Sequence, residues 1–72
     1  MSALVEGKVV NVGDYVCFKS DYEQSGKIVA IKPGNGYGGK VLVLENENGF
    51  GGEYLRYATQ TQELASDCWI EG

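Results

Sequence analysis

The chain has 72 residues, a net charge of −4, ten acidic against six basic residues and no histidine. That length suits one domain close to the lower limit of independent folding, so residues 1–72 are expected as a single unit. The acidic balance disfavours phosphate backbones as partners, since counterion release needs clustered Lys or Arg, and no apolar run approaches the roughly 18 residues of a membrane span.

In chain order, "MSALVEG" has neither a basic start nor an apolar signal-type run. A cytoplasmic location is therefore expected, and residues 1–7 read as an extended arm. Residues 8–12 supply a strand or lengthen that arm. After a Gly-Asp turn, residues 15–19 alternate, with Val16 and Phe18 on one side and Tyr15, Cys17 and Lys19 on the other. "SDYEQSG", residues 20–26, reads as an acidic loop. Residues 27–32 form the next strand, with Ile28 and Ala30 alternating against Val29 and Ile31, stopped by Pro33 and Gly34. Residues 40–45 and 53–58 read as two more strands. Thr59 followed by Gln62 matches an N-cap pattern for one or two helical turns, after which residues 68–70 close the sheet.

"KPGNGYGGKV" matches two phosphate-loop templates, through Gly34, Gly36 and Gly39 and through Gly34, Gly39 and Lys40. Both templates require a helix immediately afterwards, whose N-terminus holds the phosphate. Val41 follows Lys40 and "VLVLE" reads as strand, so no nucleotide is expected here. "NGYGG" recurs thirteen residues later as "NGFGG". Asn-Gly accepts the positive φ of tight turns, and the two segments are expected to link antiparallel neighbours from opposite ends of one strand. Turn chemistry does not require Tyr37 and Phe50 between those glycines. Each either folds back on the core or stands out as a binding anchor.

Two isolated cysteines, Cys17 and Cys68, lack the spacing of a zinc site, and no nucleophile sits with a base. No cofactor, metal or catalysis is expected. A disulfide stays open if the chain ends meet.

A flat sheet of this size would expose a whole face and both edges. The expected fold class is therefore all-β, a small barrel of about five antiparallel strands with one short helical turn before the last, burying Val16, Phe18, Ile28, Val41, Val43 and Leu55 together. "GDYVCFKSDYEQSGKIVAI", with its G-D-x-V and G-x-I-V-x-I segments, resembles the SH3-like barrels, including the KOW and type II dihydrofolate reductase branches. The resemblance implies a binding module. It carries over no catalytic residue, because the reductases' V-Q-I-Y strand has no counterpart, and no RNA contact, because the basic residues are offset by acids. The leading expectation is a non-enzymatic protein-interaction module or small accessory subunit that meets a protein partner through Asp21, Tyr22, Glu23, Tyr37 and Phe50. A KOW-like nucleic-acid binder and a homo-oligomeric enzyme with its site at a symmetric pore are the alternatives.

Overall fold

The computed structural model describes residues 2–34 and 39–71, so Tyr37 lies outside the described residues. Ser2–Val5 (β1) and Lys8–Asn11 (β2) pair antiparallel across a turn in which Glu6 and Gly7 take φ of 53° and 78°. Two successive positive φ values match the twist of a two-residue hairpin. The first residues are thus a strand rather than an extended arm. Alternation sends Ala3, Val5 and Val10 into the core and leaves Leu4 and Val9 exposed.

Tyr15–Ser20 (β3) and Tyr22–Lys32 (β4) form a long hairpin whose turn is Asp21, at φ 66°. The acidic segment expected as a loop is therefore mostly strand. Gly26, expected as the last residue of that loop, lies inside β4 and is buried. A β-carbon there would come within 3.0 Å of the Leu44 and Phe50 side chains, so the missing side chain makes room for the Phe50 ring.

A bulge between Ile28 and Ala30 shifts the alternation of β4. Ile28 and Ile31 both reach the core as a result, in place of the expected Ile28 and Ala30 set. Val41–Glu45 (β5) pairs with β4 in the register Ile28 to Leu44 and Ile31 to Leu42. Leu42 and Leu44 therefore join the core cluster, whereas Val43 is buried outside that cluster and Val41 is only half-buried.

The expected strand over 53–58 is a run of turns in which Arg56 and Tyr57 take φ of 50° and 66°. The sixth strand is Gln60–Leu64 (β6), paired with β5, and the helical turn is a 3₁₀ turn, Ala65–Asp67. Thr59 caps nothing. Its carbonyl instead accepts the Asn46 amide at 2.9 Å and begins the β5–β6 ladder.

The strands form one sheet of order β3-β4-β5-β6 and a separate two-stranded β1-β2 sheet. Beyond the 3₁₀ turn, Trp69 exchanges two backbone hydrogen bonds with Cys17, at 2.8 and 2.9 Å, on the outer edge of β3. One bridge does not make a ring, so the expected closed barrel is corrected to an open sheet. The core is shut by the β1-β2 hairpin, whose Ala3, Val5 and Val10 pack with Phe18, Leu42, Leu44 and Phe50 in one cluster. Each large side chain fully withdrawn from water contributes about 1.5 to 3 kcal/mol, so covering the sheet by packing substitutes for closing it by hydrogen bonds. Among the described residues, no helix is long and apolar enough to cross a membrane.

Candidate functional site

Asp21 holds the β3–β4 turn against a segment thirty residues further along. Its Oδ2 accepts the Glu53 amide at 2.6 Å and the Tyr54 amide at 3.3 Å. Short polar side chains tolerate left-handed backbone and cap nearby N–H groups, which suits aspartate to both tasks. Gln24, on the same hairpin, grips the neighbouring residue. Its Oε1 accepts from Gly51 N at 2.8 Å, and its Nε2 donates to Gly51 O and to Ser20 O, each at 3.0 Å. One side-chain amide thus pairs with Gly51 as a strand neighbour would.

The gripped segment is closed on itself. Phe50 N donates to Ala58 O at 2.8 Å and Tyr57 N to Phe50 O at 2.7 Å, while Arg56 N reaches Gly52 O at 3.1 Å. Phe50 pins it from below, fully buried, with its ring edge-on to Phe18 at 5.3 Å and 72°. Gly51 fits beneath Tyr22, whose hydroxyl occupies the place a β-carbon would need.

This framework fixes the backbone from which three tyrosines project. Tyr54 is 83% exposed, Tyr57 76% and Tyr22 53%. Of the residues expected to make contacts, Asp21, Tyr22 and Glu23 lie together and exposed on the hairpin turn, next to the Gly51–Gly52 segment. Phe50 belongs to the same assembly but faces inward, so it supports the surface without reaching it. Tyr37 lies outside the described residues. Nothing in the sequence pattern marks Gln24, and Tyr57, on the segment expected as a strand, stands exposed on a run of turns. The usable signal was the Gly-Gly pair before Glu53 and Tyr54, which breaks a strand and presents the next side chains on a turn.

Both thiols are held in the neutral form. Burial pushes the Cys17 thiol up, and the Glu71 carboxylate, which accepts its S–H at 3.2 Å, pushes it further. Cys68 is pushed up to about 12 by burial, with Glu63 and Asp67 adding to the effect. Neutral thiols are poor nucleophiles and poor metal ligands. The cysteines are free, with Cys68 in the core cluster.

No protein-family model, curated protein or solved structure matches this chain.

Proposed function

We propose that the protein is a non-enzymatic interaction module that docks a basic protein surface on Asp21, Tyr22 and Glu23 together with Tyr54 and Tyr57. The observation that carries this reading is the fixed setting of exposed tyrosines: Asp21 and Gln24 hold the Gly51–Tyr54 backbone through four hydrogen bonds, and a fifth ties the Gln24 side chain to Ser20 O. Tyrosine supplies a large amphipathic contact with few rotatable bonds, and a prefixed backbone lowers the entropy lost on binding. The net charge of −4, with Glu23 and Glu53 exposed beside the tyrosines, favours a cationic partner.

We further propose an SH3-like arrangement for the sheet, supported by the 3₁₀ turn that leads the chain back to β3 at Trp69. The proposal also includes a cytoplasmic setting, with which the two unpaired thiols agree. Affinity capture from the source cells tests the docking surface. A specific partner should be retained by the wild type and lost by a Tyr22→Ala, Tyr54→Ala double variant of unchanged circular dichroism. Equal retention by that variant overturns the reading.

A further inference from the structure

β6 is the last strand of the four-stranded sheet, and among the described residues its second edge has no strand beside it. The groups on that edge follow from the ladder. Asn46 N donates to Thr59 O at 2.9 Å and Ala65 N to Lys40 O at 2.8 Å, so residues 59, 61, 63 and 65 bond toward β5. Antiparallel alternation then turns the N–H and C=O of Gln60, Gln62 and Leu64 outward. On the face of β5 and β6 next to that edge lies an open depression of about 590 Å³, lined by Val43, Tyr54 and residues 60–63. No lysine, proline or bulge interrupts β6, the features that commonly blunt an edge.

We propose that a second copy of this chain occupies the edge, β6 against β6, antiparallel about a two-fold axis through Gln62. This register overlaps the whole strand. Gln62 then exchanges both backbone bonds with Gln62 of the second copy, and Gln60 does so with Leu64 of the second copy. All the outward groups are satisfied, as an isologous contact requires.

Charge permits the pairing despite the acidic chain. The bonded residues Gln60, Gln62 and Leu64 are uncharged, and the one charge of β6, Glu63, falls opposite Thr61 of the second copy rather than opposite another carboxylate. Its carboxylate already accepts the Thr61 hydroxyl of its own chain at 2.7 Å. The result is one continuous eight-stranded sheet. This edge is distinct from the Asp21–Glu23 turn; Tyr54 of the docking surface lines the neighbouring depression, so the two surfaces adjoin, but the backbone pairing does not depend on the docking proposed above.

Sedimentation velocity of the full chain over a concentration series tests the dimer. The wild type should approach twice the 7.8 kDa of one chain as concentration rises. Gln62→Pro removes a donor that β5 does not use, so the sheet tolerates it. It deletes both bonds at the axis and should weaken association by roughly 10- to 100-fold. Gln62→Lys keeps the backbone intact and sets two like charges face to face, so it serves even if the proline variant fails to fold. It should weaken association by about threefold or more. A wild type that stays monomeric throughout overturns the proposal, and so does dimerisation of the lysine variant as tight as the wild type's. A monomer whose β6 edge takes up a strand of some other protein also overturns it. Neither variant alters Tyr22 or Tyr54, so loss of the dimer and loss of the docking partner are separate results.

Discussion

At the scale of single residues, Phe50 and Tyr54 show how position outranks hydrophobicity. Both follow glycine-rich turns. Phe50 meets Gly26 across the core, where no side chain blocks its ring, and packs edge-on to Phe18. Tyr54 finds no such gap and is 83% exposed. The two should respond oppositely to truncation. Phe50→Ala empties a buried site and is expected to cost about 3 to 5 kcal/mol, a large share of the roughly 5 to 15 kcal/mol that holds a domain together. Tyr54→Ala should cost less than about 0.5 kcal/mol. Urea unfolding of both variants measures the contrast, and comparable losses would contradict the placement of Phe50 as a core residue.

At the scale of elements, the segment from Gly51 to Ala58 is ordered by another hairpin's side chains as well as by its own turns. Gln24 makes two of those bonds, to Gly51 N and Gly51 O, and a third to Ser20 O of its own hairpin that fixes its side chain. Gln24→Ala should therefore destabilise by about 1 to 3 kcal/mol and speed hydrogen exchange at the Gly51 amide. Gln24→Glu keeps an acceptor for that amide and should restore its protection in part. Unchanged exchange in Gln24→Ala would show that the loop holds itself. This dependence also explains what the sequence revealed. The alternation over 15–19 and the apolar run over 40–45 were legible because their signals are local. Gly26 was not, because the need for a glycine inside β4 arises from Phe50, far along the chain. The Val29 bulge was equally hidden, since it reverses the faces of an alternation that reads cleanly from residue types. Residues 59–62 carry a capping pattern and also an alternating Thr-Gln pattern, and pairing with β5 decided for the strand. The Asp21 turn was legible as acidic and exposed, but its grip on Glu53 and Tyr54 was not, because that contact exists only after the sheet has formed.

For the molecule as a whole, stability depends on bringing the chain's end back to β3, and Cys68 stands at that junction. Its amide donates to Ala65 O at 3.2 Å and its thiol to Leu64 O at 3.4 Å, just before the Trp69 bridge to Cys17. Burial lifts its pKa from 9.0 to about 12, with Glu63 and Asp67 adding to the shift. A raised folded-state value fixes the sign of the pH dependence. Below about 9 both folded and unfolded chains keep the proton, and the stabilisation is fully present. Between about 9 and 12 the unfolded thiol sheds its proton while the folded one retains it, so stability falls as pH rises through that window. Cys68→Ala removes this contribution while leaving the other alkaline titrations, Cys17 among them, in place. Denaturant unfolding at about pH 8 and again near pH 11 should therefore show a larger loss for the wild type than for the variant. Equal losses would mean that the Cys68 thiol is reached by solvent, and that the connection from β6 to β3 is looser than a packed junction.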